Sequence, residues 1–260
     1  MFSIDLDQAM KASLVFIRVS FLIFMLPVFG EEVTPLRFKI YFSMALSFFL
    51  YTYLPFSFVA MHSPVSLVLF ATLAIKEMLL GMSIGFTSRL LFEGLLMAAN
   101  LVSYQMGFAT VNIILPGQDL QSSSFTAMHK AILTIIFLGL SFHHVFIHAI
   151  VETFKVVPIG GGHLTGAFTQ LTIHDTENIF KIAMQFASPI LISLLFTTAA
   201  LSLLARVFPQ INIFSLSFPI SFFVGLTIYI TSIPLFPSWL DASYTEYLNS
   251  IFASIHWYVP

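Results

Sequence analysis

The sequence predicts an all-α, membrane-associated protein built from long, broken helical hairpins, and three observations carry that prediction. The chain is 58% hydrophobic and only 8% charged, with a mean hydropathy of +0.96. An ordinary soluble domain carries about a quarter charged residues, so this chain cannot clothe a globular surface in polar groups, and most of its exterior must meet hydrocarbon or protein. Uncharged or nearly uncharged windows recur along the chain, and five or six reach the roughly 20 residues that cross a bilayer as a helix. None alternates apolar with polar residues, and backbone groups in hydrocarbon must bond within their own segment, so helices follow rather than barrel strands.

The N-terminus, MFSIDLDQAMK, is acidic before Lys11 and lacks the positive start and small-residue cleavage site of a secretory signal. The first helix is therefore expected to remain in the mature protein. Ala12 to Phe29 is apolar around Arg18 and is stopped by Pro27 and Gly30. Ile40 to Met61 has no formal charge, Val65 to Ser88 contains Lys76 and Glu77, and Leu90 to Tyr104 contains only Glu93. Ala131 to Val151 and Ile182 to Ala205 are uncharged apart from histidines. Val207 to Leu240 is uncharged, too long for one comfortable span and too short for two; Pro209, Pro219, Pro234 and Pro237 interrupt it, so a re-entrant or hairpin path is expected.

Two polar breaks divide these windows. The first runs from Gln105 through Asn112, Pro116, Gly117, Gln118 and Asp119 to Ser124. The second is PIGGGHLTG, Pro158 to Gly166, followed by the polar HDTEN, His174 to Asn178. It separates a larger N-terminal part, 1–175, from a C-terminal helical hairpin, 176–260.

Several function classes have no support. The formal net charge is −2 and no run of Lys or Arg forms a basic stripe, so nucleic acid has no electrostatic footprint. The absence of cysteine removes disulfides, thiolate metal sites and cysteine nucleophiles. No HExxH or P-loop pattern occurs, and no spacing of Ser, His and acidic residues nominates a triad, which leaves no enzyme reading and no cofactor. The scattered Lys and Arg residues give only a weak orientation, Arg37 and Lys39 being the one close pair in an expected loop.

Three groups of residues could carry chemistry. His144, His148 and Glu152 stand at i, i+4 and i+8 on one expected helix, a spacing that lines up three metal ligands on one face. No fourth ligand or catalytic acid accompanies them, so polar residues gathering at the edge of an apolar zone is the better reading, with no metal expected. Lys76 and Glu77 fall within an apolar window, where charge is costly and usually has a purpose. As neighbours they cannot pair on one helix face. Each is expected to find a partner on another helix or subunit and so fix assembly; a proton relay is the sharper alternative. Arg89 and Glu93, at i and i+4, are expected to pair locally. Gly81 and Gly85 make a small-xxx-small step that lets a neighbouring backbone approach.

Four stretches together resemble one family, the FliR proteins of the flagellar export gate, related to a subunit of type III secretion injectisomes. They are LPVFGEEVTPLRFKIYFSMALS (Leu26 to Ser47), KEMLLGMSIGFTSRLLFEG running on to YQMGFA (Lys76 to Ala109), HHVFIHAIVETFKVVPIG (His143 to Gly160) and LLARVFPQINIFSLSFPI (Leu203 to Ile220). RVFPQINIF, Arg206 to Phe214, is closer to the flagellar branch than to the injectisome branch. The chain departs from the pattern at Leu115, where many relatives place Asp before Pro-Gly, and at Ser217, where many have Gly.

The resemblance implies a non-catalytic subunit of the channel through which unfolded flagellar proteins leave, located at the flagellar basal body in the bacterial inner (cytoplasmic) membrane. FliP, FliQ, FlhB, exported chains and membrane lipid would be its partners. It implies a FliP-like part over 1–175 fused to a FliQ-like hairpin over 176–260, with Arg206 and the charges Lys76 and Glu77 serving assembly. The central segment would contribute to a plug, mapped here onto Met106, Gly107, Phe108, Val111, Ile113, Ile114, Leu115, Pro116 and Gly117. An apolar constriction of this kind seals against ions by excluding water, methionine adapts to varied surfaces, and glycines let the loop bend. A small secondary transporter using Lys76 and Glu77 for ion coupling is the alternative of a different class, and an intramembrane metalloenzyme a third.

Overall fold

The structure, a computed structural model, describes residues 6–27, 34–53, 66–108, 124–161, 166–210, 212–242 and 245. Among them the secondary structure is helical. In chain order the helices are α1 (Leu6–Met25), α2 (Leu36–Tyr53), α3 (Leu67–Gln105), α4 (Ser124–Gly139), α5 (Phe142–Val156), α6 (Gly166–Val207) and α7 (Ile213–Ser232). A 3-10 turn, Ile233–Leu235, and helical residues 236–242 continue α7.

The chain divides into two compact units. The first comprises residues 1–90, 141–176 and 244–260; the second comprises 91–140 and 177–243. Helices α3 and α6 each contribute one part to either unit. In the first unit, Leu14, Val15, Val19, Leu22 and Ile23 of α1 are buried, as are Leu80 and Ile84 of α3 and Phe146, Ile150 and Phe154 of α5. In the second, Ala98, Ala99, Val102 and Met106 of α3 form one core with Phe125 of α4, Ala183, Ala187, Ile190 and Leu194 of α6, and Tyr229 and Phe236. The spacing of three and four residues in these sets is the stripe an amphipathic helix buries.

Among the described residues, four helical stretches are long and apolar enough to cross a membrane: Asp7–Met25, Leu67–Gln105, Ile179–Val207 and Ser215–Ala242. A fifth is counted if α4 and α5, broken at their junction, make one span. At the bend Ser141 holds a left-handed φ of 59°, which stops α4 and restarts the chain as α5.

The structure adds three details to the sequence reading. Val65 to Ser88 and Leu90 to Tyr104 continue into one another, since α3 passes through Arg89 without a break over 39 residues. The polar HDTEN stretch is itself helical, because α6 runs from Gly166 to Val207 through it. Polar side chains alone do not end a helix, and Glu177 and Lys181 pair at i, i+4 with 2.8 Å between them on its exposed surface.

Finally, the hairpin expected in Val207 to Leu240 turns at the start of that window, before Ile213, and from Ile213 the chain stays helical through the later prolines. Asn212 caps α7 by accepting from the Ser215 N–H at 3.4 Å, and the helix passes through Pro219. Pro234 falls in the 3-10 turn, where its missing N–H costs little. The turn between α6 and α7 sets them as a hairpin in which Phe186 packs on Phe236 with ring centroids 4.5 Å apart.

Candidate functional site

In the first unit the sequence-predicted charge Glu77 finds a partner that sequence reasoning had not assigned. Arg18 of α1 and Glu77 of α3 are both fully buried and form a side-on pair. The Arg18 Nε donates to Glu77 Oε2, and Nη2 donates to Oε1 at 3.0 Å. Arg18 Nη1 donates to the carbonyls of Thr153 and Val157 at 3.2 and 3.1 Å, closing the C-terminal end of α5. Glu77 Oε1 also accepts from the backbone N–H of Gly160 at 2.7 Å. The Arg18 guanidinium lies 4.4 Å from the centre of the Phe154 ring. A charge removed from water needs this degree of satisfaction, and the planar fork of arginine supplies it where lysine could not.

Small residues let the pair form. A Cβ on Gly81 would stand 2.4 Å from the Arg18 carbonyl oxygen, and one on Gly85 would stand 2.6 Å from Met25 Cβ and 2.8 Å from the Leu22 carbonyl oxygen. The two glycines therefore form the contact of α3 with α1 one and two turns beyond Glu77. This close approach brings the carboxylate within reach of Arg18. Lys76, next to Glu77, is half-buried on a different face.

In the second unit the described ends of the central segment meet. Met106 is fully buried; Gly107, with a φ of 92°, stops α3; Phe108 turns inward. The Phe108 ring packs on Phe125 of α4 at 6.2 Å and on Phe218 and Phe222 of α7 at 6.4 and 5.8 Å. Phe125 packs in turn on Tyr229 at 4.9 Å. Tyr229 Oη lies 2.7 Å from His129 Nδ1, so a hydrogen bond joins the Tyr229 hydroxyl to one ring nitrogen of His129. Val111, Ile113, Ile114, Leu115, Pro116 and Gly117 lie outside the described residues.

The remaining predicted residues are not drawn into either site. His144 and His148 are exposed on α5. Glu152 is held by Lys155 at 2.6 Å and stands 4.0 Å from His148. Among the described residues no three metal-ligating side chains gather. Arg206 is exposed in the last turn of α6, where a cation complements the helix dipole.

A family model described as bacterial export proteins, family 1, matches residues 9–247. The chain belongs to this family. The chain is similar to the flagellar biosynthetic protein FliR of Escherichia coli, with 30% identity over 90% of this chain and 88% of the relative. It is 27% identical to FliR of Aquifex aeolicus over 85% of this chain and 84% of that protein. FliR of Bacillus subtilis is 27% identical over 82% of both chains. The FliR family is thus shown across nearly the whole chain, with membrane-spanning helices that fit a flagellar export component.

Proposed function

We propose that this FliR-family chain is a non-catalytic subunit of the flagellar type III export gate, forming the channel for unfolded proteins together with FliP and FliQ. In this reading it sits in the bacterial inner membrane at the flagellar basal body, is contacted by FlhB, and its central segment, Met106 to Gly117, is part of the channel plug. The observation that carries it is the neck of that segment: Phe108 and Phe125, on either side of residues 109–123, touch each other. Loops whose ends are held together are common at functional sites. In sequence the segment carries Val111, Ile113, Ile114 and Leu115, apolar side chains suited to excluding water from a pore.

Two further features support the reading. Helices α2 and α6 present large apolar side chains outward, among them Tyr41, Met44, Phe48, Leu195, Phe196 and Leu203. Patches of that size mark surfaces that other apolar matter covers. The α6–α7 hairpin fits a FliQ-like part over 176–260 joined to a FliP-like part over 1–175. Ion coupling at Glu77 is disfavoured, because its carboxylate already holds a guanidinium and a backbone N–H.

The test is deletion of Ile113 to Pro116 in the co-expressed complex. Assembly with FliP and FliQ is expected to persist while ion leakage across the membrane rises. An intact complex with unchanged leakage would overturn the plug assignment, and failure to co-purify with FliP and FliQ would overturn the assembly.

A further inference from the structure

We propose that the cleft between α1 and α2 is a lipid site that holds one acyl chain of a membrane phospholipid. The inference goes beyond the export reading and stands on the first unit alone.

The two helices run antiparallel. Lys39, in the first turn of α2, has its Nζ 5.9 Å from the centre of the Phe24 ring near the end of α1. Tyr51, near the end of α2, shares a cleft with Ala12 and Ser13 near the start of α1. Phe16 lines it from the α1 side, and the space measures about 300 Å3. On α2 the lining residues Met44, Ser47, Phe48 and Tyr51 fall at i, i+3, i+4 and i+7, which is one face of the helix. Ser47 is buried at the floor, whereas Met44 and Phe48 stand exposed at the rim.

The chemistry of this lining selects an alkyl occupant. No charged side chain lines the cleft. Both of its serine hydroxyls donate within their own helices, Ser13 to the Met10 carbonyl at 2.7 Å and Ser47 to the Ser43 carbonyl at 2.6 Å. A polar ligand would leave its own groups unpaired there, and an alkyl chain has none to pair. Size narrows the choice further. A helix with its side chains is about 10 Å across and cannot enter such a space, whereas a single unbranched chain can.

Depth identifies where that chain comes from. Helix α1 is one of the stretches long and apolar enough to cross a membrane, beginning at Asp7. Asp7 and Lys11 pair across one turn at that end, and Tyr51 and Tyr53 stand at the matching end of α2. Charged residues with tyrosines mark the level of lipid headgroups. Ala12 and Phe16 lie beyond Asp7 by roughly 7 and 14 Å along the helix axis. That is the depth of acyl chains in one leaflet of a ~30 Å hydrocarbon core. A phospholipid with its headgroup at the level of Lys11 and Tyr53 therefore lays one chain into the cleft.

The test uses the full chain in the membranes of cells that make it, with phospholipids carrying a fatty acid that bears a diazirine midway along its length. After illumination, mass spectrometry maps the label onto residues. Phe16 and Phe48 are expected to carry adducts with the mass of a whole phospholipid. Ala12→Phe, which fills the cleft, is expected to cut the label on Phe16 at least five-fold. Phe49, exposed on α2 outside the cleft, is expected to keep its label in the same variant.

Label on Phe16 that does not fall in Ala12→Phe shows ordinary bilayer contact and overturns the site. An adduct with the mass of a free fatty acid overturns the phospholipid. Absence of label on both Phe16 and Phe48 overturns the proposal as well, and a cross-link from a photoreactive residue at 48 to another polypeptide would then assign the cleft to a protein side chain. Should Ala12→Phe not accumulate, the smaller filler Ala12→Val decides: it is expected to lower the label on Phe16 at least two-fold, and an unchanged label overturns the site.

Discussion

Arg18 and Glu77, 59 residues apart in the chain, meet as a fully buried pair in which the guanidinium also closes the end of α5 and the carboxylate also accepts from Gly160. Three segments far apart in sequence are held by one charge cluster. Deleting either partner strands the other charge without water. Arg18→Ala or Glu77→Ala is therefore expected to destabilise the protein by about 3–5 kcal/mol. The apolar double variant Arg18→Met/Glu77→Leu is expected to lose much less than the two singles together. Thermal unfolding of the detergent-purified protein measures the cycle; additive losses would show that the two side chains do not depend on each other.

Arginine and lysine are not equivalent at this position. Arg18→Lys keeps the charge but cannot bond Glu77 side-on while reaching the Thr153 and Val157 carbonyls, so it is expected to fall between wild type and Arg18→Ala. Limited proteolysis near residue 160 reads the loss directly, because both the α5 carbonyls and the Gly160 N–H lose their anchor.

Gly81→Ala is expected to be costlier than a surface substitution, by about 1–3 kcal/mol, since the added methyl meets the main-chain carbonyl of Arg18 and no side chain can move away. By contrast, Gly139→Ala meets nothing within 4 Å and serves as a control of the same chemistry. Equal effects of the two on unfolding temperature would contradict the close approach of α3 to α1.

In the second unit, Tyr229→Phe removes the hydroxyl facing His129 Nδ1 and leaves a buried ring nitrogen unpaired, at an expected cost of about 1–3 kcal/mol. Tyr229→Phe/His129→Leu removes both polar tips and is expected to recover part of that loss. The same unfolding assay checks it.

His144→Ala and His148→Ala, both at exposed positions, are expected to change stability by less than about 0.5 kcal/mol. A chelator should leave the unfolding temperature of the purified protein where it was. A large drop on chelation would restore the metal reading of that face.

The helical class is legible in the sequence because apolar windows and their Pro or Gly stops are local signals. Where the stops really act is less so. Pro219 lies inside α7 and Pro234 in a 3-10 turn, whereas the chain turns between Val207 and Ile213, and hydropathy treats them alike. Arg18, Lys76 and Glu77 all announce themselves as charges in apolar windows. That Arg18 belongs with Glu77 rather than with any other anion is a pairing across two helices, which no spacing rule encodes. The step from Gly81 to Gly85 can be read; that it lies against Arg18 and Leu22 cannot. Phe108 stood out only as part of the segment the resemblance marks; that its ring lies against Phe125 and Phe222 depends on three elements coming together, which no local pattern encodes.

Helix α3 has 39 residues, so at 1.5 Å per residue it is about 58 Å long, close to twice the ~30 Å of a hydrocarbon core. It is apolar to both ends, with Leu67 and Val68 exposed at the start and Tyr104 at the finish. That is more apolar helix than one straight crossing uses, so a copy made in excess of its proposed partners is expected to accumulate poorly, and its cellular level to rise when FliP and FliQ are co-expressed.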